Sequence, residues 1–166
     1  NGFLPVSSSS QMTPSAYNNN FILVQSRNYV TILNEQAHDA RMIPLDGRPH
    51  LPQNIRLLRG DGRGHFEGNT LVVETTNYTD KTNFMGSGRN MVLIERFTRT
   101  GPDMLDYQFT VTDPESFAKP WTAQIPMPRT NGQLYEYACH EGNYGMVGIL
   151  SAARAAEGAA TVAARK

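Results

Sequence analysis

The residues best placed to do chemistry lie in GDGRGHFEGNTLVVETTNYT, residues 60–79. Gly68-Asn69 suits the two-residue primed turn of a β-hairpin, because such turns need positive φ. A turn there sets Glu67 opposite Thr70, His65 opposite Val72 and Arg63 opposite Glu74. Arg63, His65, Glu67 and Glu74 then share one face, and Phe66, Leu71 and Val73 share the other. Turned inward, the polar face holds a histidine between carboxylates in a low-dielectric site. That is the requirement for acid–base chemistry with His65 as base, Glu67 or Glu74 as its orienting carboxylate, and Arg63 or Arg96 stabilising an oxyanion. Turned outward, it is a charged sheet surface with an Arg63–Glu74 cross-strand pair. Alternation alone does not choose the face; the outward reading is slightly preferred.

Three further groups carry reactive side chains. In YEYACHEGNY, residues 135–144, Cys139 could act as a nucleophile with a histidine base. Cys139 and His140 are adjacent and project differently, so that base would have to come from elsewhere, for example His65. The preferred reading is a structural junction. Cys139 is then a small buried hydrophobe, Asn143 caps a helix beginning near Tyr144, and His140 and Glu141 pair with arginines such as Arg96 or Arg154. The helix would offer Met146, Val147, Ile149 and Leu150 to a sheet. Glu35, His38, Asp39, Arg41, Asp46, Arg48 and His50 form a third group. Their spacing matches no metal motif, so they read as surface turn chemistry, and no metal is expected. The last group is aromatic. Phe97, Tyr107, Phe109, Trp121 and Tyr135 could line a pocket for an apolar ligand, with core packing as the plainer alternative for them and Phe66.

The elements that must position these groups are mostly strands. Residues 1–20 are rich in Ser, Asn and Pro and read as an extended arm or linker. Residues 21–26 and 29–35 form a hairpin around Arg27-Asn28, and 40–45 a short strand before Asp46-Gly47. Residues 48–62 read as a loop with at most one short strand, and the polar, Gly-rich stretch 77–90 as a long loop of the kind used for lids and binding. A second hairpin joins 91–100 to 104–112 around Gly101-Pro102-Asp103. Residues 121–127 alternate, with Pro126 and Pro128 placing the strand end at a sheet edge. The Ala-rich end has strong helix propensity and little to bury. Seven or eight strands and one terminal helix predict a mainly β fold, an antiparallel barrel or curved sheet with a C-terminal helix. The expected organisation is an arm over 1–20, an antiparallel β domain over 21–130, and a junction with helix over 131–166.

Composition narrows the partners. Fifteen basic and fifteen acidic residues give zero net charge in 166 residues, which argues against a nucleic-acid binder. Twelve of the fifteen cations are arginines, suited to forked pairing with carboxylates. No apolar run approaches the ~20 residues of a membrane span. Cys139 is the only cysteine, so no intramolecular disulfide forms. No glycine-rich phosphate loop is present, and no cofactor is expected. A chain beginning at Asn1 fits a removed leader or a piece of something longer.

YNNN at 17–20, IPLDGRPH at 43–50, the hairpin at 64–75, ERFTR at 95–99, PWTA at 120–123 and YACHEGNY at 137–144 carry a resemblance. Together they resemble an uncharacterised family of exported bacterial proteins with a GxWEGxTLVV-type hairpin and a YACHEGNYG segment. Phe66 stands where that family mostly carries tryptophan. The resemblance implies a periplasmic or secreted location and a longer precursor with a leader and an upstream region; it implies no catalytic residue. The GHF stretch at 64–66 is also similar to the glycine–aromatic opening of lipocalin-like barrels. The expected function is therefore a non-catalytic exported domain that binds a small apolar ligand or serves as an accessory subunit of a periplasmic assembly. Its protein partner would be met through residues 1–20 and 151–166. The alternative is a cofactor-independent hydrolase, lyase or isomerase working through His65.

Overall fold

Period-two alternation of apolar and polar side chains yields eight antiparallel strands in a computed structural model that describes residues 13, 20–35, 39–134 and 144–163, the last four by backbone alone. The strands are β1 (Phe21–Gln25), β2 (Tyr29–Asn34), β3 (Ala40–Pro44), β4 (Asp61–Glu67), β5 (Thr70–Thr76), β6 (Val92–Gly101), β7 (Met104–Thr112) and β8 (Trp121–Pro128). They form two sheets, ordered β1-β2-β3 and β4-β5-β6-β7-β8. The mainly β expectation holds. The strands divide between two sheets rather than closing into one barrel.

The chain falls into two units, Asn1–Tyr135 and Glu136–Lys166. The second contains α1 (Tyr144–Ala163), which begins where expected. Its Tyr144, Met146, Val147, Ile149 and Leu150 side chains are exposed. Tyr135, Cys139, His140, Glu141 and Asn143, and with them the proposed junction and helix cap, lie outside the described residues.

The β4–β5 register is the expected one, with Arg63 opposite Glu74, His65 opposite Val72 and Glu67 opposite Thr70. The turn differs in one respect. Gly68 has φ 60° while Asn69 is not left-handed, so glycine alone supplies the positive φ, as in a type II′ turn. The Asn69 side chain donates instead to the Arg99 carbonyl at 2.8 Å. Phe66, expected among packed residues, is exposed near the hairpin tip. Residues 77–90 are not a loose lid. Tyr78, Thr82, Phe84 and Ser87 are buried, and Thr82 Oγ1 donates to the Leu58 carbonyl at 2.6 Å.

One core joins the inner faces of both sheets. Val30, Ile32 and Ile43 of the small sheet meet Leu71, Val73, Leu93, Phe97, Tyr107, Phe109 and Val111 of the large one. Gly64 permits this approach, because a Cβ there would lie 2.8 Å from Ile43 Cγ2 and 2.9 Å from Leu45 Cδ2. The alternation of β6 puts Leu93, Glu95 and Phe97 inward together, so Glu95 is wholly buried. Its partner comes from β3 in the other sheet. Arg41, 7% exposed, donates from Nη1 to Oε1 at 3.1 Å and from Nη2 to Oε2 at 2.5 Å. Tyr107 Oη donates to Oε1 at 2.8 Å. Burial pulls the Arg41 pKa down, but the charge and hydrogen bonds of Glu95 outweigh it, and the net shift is upward. Deleting one partner leaves an uncompensated buried charge. Arg41→Met is expected to lower unfolding free energy by about 3–5 kcal/mol in urea titration, and Arg41→Met/Glu95→Met to recover much of that loss.

Candidate functional site

The polar face of the β4–β5 hairpin points outward. The His65 side chain is 63% exposed, with Nε2 3.2 Å from Glu67 Oε1. Glu67 also accepts from Arg96 Nη2 at 2.5 Å. That bond, and next the one to His65, hold the Glu67 carboxyl below its ordinary pKa. The inward face that acid–base chemistry at His65 requires is not present. Arg63 and Glu74 belong to a different cluster and share no bond with His65.

That cluster is centred on His50, expected among surface turns. Its Nδ1 is 3.0 Å from Oδ2 of Asp61, and its Nε2 is 3.1 Å from Oε1 of Glu74. A neutral imidazole donates to one of two carboxylates at a time; the imidazolium donates to both. The buried Asp61 also accepts from the Leu51 amide at 2.8 Å and from Arg63 Nη1 at 2.5 Å. Arg63 Nε donates to the Pro49 carbonyl at 3.0 Å, and Asn77 Nδ2 to the Leu51 carbonyl at 2.7 Å. Asn77 holds φ 56°, a left-handed geometry that asparagine tolerates. These bonds fasten residues 49–51 onto the β4–β5 hairpin. Asp61 and Gly62, expected in the loop over 48–62, begin β4, which puts Asp61 on the Arg63–Glu74 face; neither this nor the loop histidine reaching Asp61 was read from the sequence.

The rest of the third sequence group is dispersed. Arg41 goes to Glu95, Arg59 Nη1 pairs with Asp39 Oδ2 at 2.5 Å, and Glu35 accepts from Asn20 at 3.2 Å. His38 lies outside the described residues. Arg48 Nε donates to both Asp46 oxygens, at 2.8 and 2.9 Å, and Nη2 donates to Tyr29 Oη at 3.2 Å. Among the described residues no group of three His, Cys, Asp or Glu side chains is placed to hold a metal ion.

Of the aromatic set, Phe97, Tyr107 and Phe109 are buried and Trp121 is partly buried. Ring centroids are 4.9 Å apart for Phe97–Tyr107, 5.6 Å for Tyr107–Phe109 and 5.6 Å for Phe109–Trp121, so these rings pack on one another.

A cleft of about 190 Å³ opens between β3, the segment 57–60 and the start of β4–β5. Its lining includes Arg41, Met42, Ile43, Leu57, Arg59 and Thr75. Gly62 faces Thr75 across the ladder, and a Cβ at Gly62 would sit 3.5 Å from Thr75 Oγ1. Thr75 is 1% exposed, and its Oγ1 has no hydrogen-bond partner. Burial lowers the Arg59 pKa; the Asp39 charge opposes this and the Arg41 charge adds to it. Beta-strand signals located every strand around this cleft, but an orphaned hydroxyl depends on the glycine opposite it and has no sequence signature.

No family model matches the chain, and neither a curated protein nor a solved structure matches it.

The Arg48 hydrogen bonds hold the Asp46 carboxyl at about 2, against an ordinary 3.8. The pKa is depressed on folding, so the stabilising contribution is complete above the unfolded value and disappears as pH falls through the folded one. In an NMR titration, Asp46 is expected to titrate near 2 in the parent chain and to return towards 3.8 in Arg48→Ala.

Proposed function

We propose that this chain is a non-catalytic exported domain that binds a small molecule in the cleft between β3, residues 57–60 and β5. The observation that carries the reading is the buried Thr75 hydroxyl without a partner on the cleft wall. Burying a hydroxyl with nothing to bond is unfavourable, and such groups in a folded protein call for a water, an ion or a ligand. Ile43 and Leu57 give the same wall apolar contact. The His50 cluster supports the reading from the other side. It fastens residues 49–51, and the same loop continues into the wall residues Leu57, Arg59 and Gly60. Export is supported by the resemblance of residues 17–154 to exported bacterial proteins. The aromatic residues expected to line the pocket pack against each other, so the ligand seat is assigned to the cleft.

A methyl-detected NMR screen with small neutral, cationic and anionic fragments tests this. The expected result is saturable shifts at Met42, Ile43 and Leu57. A complete absence of shifts at those methyls with every fragment would remove the reading.

A second reading, an accessory subunit, is favoured by the outer face of the small sheet. Ile22, Val24 and Met42 are all exposed there, with Met42 at 66%. Cross-strand pairing sets Val24 beside Thr31 and Thr31 beside Met42, so the apolar groups share one face. Under that reading Ile22→Glu/Val24→Glu shrinks the native complex formed by the protein in its own cells, measured on native gels, without changing fragment binding in the cleft. An unchanged complex size would contradict it.

A further inference from the structure

The geometry points to β1 as a pairing edge for a second copy of this chain; the inference rests on neither reading above. The small sheet ends in β1 and β3, the large one in β4 and β8. The outer backbone groups of an end strand invite a further strand unless something blunts the edge. Pro126 and Pro128 interrupt β8. The edge of β3 faces residues 57–60 across the cleft, and β4 carries the fastened residues 49–51. By contrast β1 reads FILVQ, with no charge, proline or glycine, and no described strand pairs with its outer side.

The open groups of β1 follow from its bonds to β2. The Ser26 amide donates to the Tyr29 carbonyl at 2.9 Å, and the Glu35 amide to the Asn20 carbonyl at 3.1 Å. Antiparallel bonding alternates along a strand, so Ile22 and Val24 bond to β2. The amides and carbonyls of Phe21, Leu23 and Gln25 then point away from it. A two-fold axis at Leu23 lets two copies satisfy all of these groups on each other. Leu23 bonds Leu23 of the second copy, and Phe21 bonds Gln25 of the second copy, which joins the two small sheets into one.

The side chains fit the same register. Ile22 meets Val24 of the second copy as a non-hydrogen-bonded pair, the kind in which side chains come closest. Both are exposed in the single chain, at 42% and 55%, and pairing covers them. Ser26 meets Asn20 of the second copy. Asn20 Nδ2 donates to Glu35 at 3.2 Å, and the exposed Arg27 follows Ser26. Each end of the joined strands therefore brings Arg27 towards Glu35 of the other copy, opposite charge to opposite charge. Zero net charge adds no long-range repulsion between copies. Such self-complementarity selects a second copy over an unrelated strand, and the two-fold consumes the edge, so assembly closes at the dimer.

Sedimentation velocity on the full chain over a range of concentrations tests this, together with NMR on a mixed-label sample. The expected result is a reversible monomer–dimer equilibrium, with the strongest intermolecular NOEs between the Ile22 and Val24 methyls. Gln25→Pro removes one outward amide and no bond to β2. It is expected to weaken the dimer by about tenfold or more while the amide shifts of β2 and β3 persist. If Gln25→Pro disturbs those shifts, the NOEs of the parent chain decide. A monomer at every concentration overturns the inference and leaves both functional readings to their own tests. A dimer without the Ile22–Val24 NOEs, a dimer indifferent to Gln25→Pro, or open-ended oligomers would place the contact elsewhere and overturn it as well.

Discussion

The buried pair between Arg41 and Glu95 is the constraint around which this structure is arranged. Two sheets with no hydrogen-bonded strand pairing between them must be held by side chains. Most of that hold is apolar burial, which is strong but indifferent to small rotations and slides. A forked guanidinium–carboxylate pair is directional, and Tyr107 fixes the carboxylate from a third side. A buried pair of this kind adds little net stability over hydrophobic residues of similar volume. Its contribution here is to register, setting β3 over β6 and thereby setting where Met42, Ile43 and Thr75 stand around the cleft.

The cleft then follows from two local absences of side chain. Gly64 lets Ile43 and Leu45 close onto β4, and Gly62 places no side chain against Thr75 beside the gap that remains. The loop between β3 and β4 completes the wall, and it is fixed by bonds rather than by secondary structure. His50 reaches Asp61 and Glu74, Arg63 reaches the Pro49 carbonyl, and Asn77 reaches the Leu51 carbonyl. A long segment without strands can in this way present Leu57 and Arg59 at defined positions.

Much of the fold was legible in the sequence because hairpins are local. Alternation in residues 104–112 and 121–127 and the turn at Gly68 gave strand boundaries within one or two residues and the β4–β5 register without error. The partition into two sheets was not legible, since it depends on packing between segments far apart in the chain. The same limit applies to the site. Glu95 sits in ERFTR and reads as one charge in an ordinary amphipathic strand, yet its phase puts it inward with Leu93 and Phe97. Nothing local announces that an arginine 54 residues away is its partner. Alternation and the hairpin register put His65 on one face with Glu67 and Glu74, and that face is the solvent side. His50 makes the tighter contacts from a loop, where periodicity carries no information.

Native-state amide hydrogen exchange in Glu95→Gln tests most directly whether the buried pair docks one sheet on the other. The account predicts that amides of β2 and β3 lose protection while those of β6 and β7 retain most of theirs, since the small sheet is released and the hairpin ladders remain. Uniform loss of protection across both sheets, or none in β2 and β3, would contradict it.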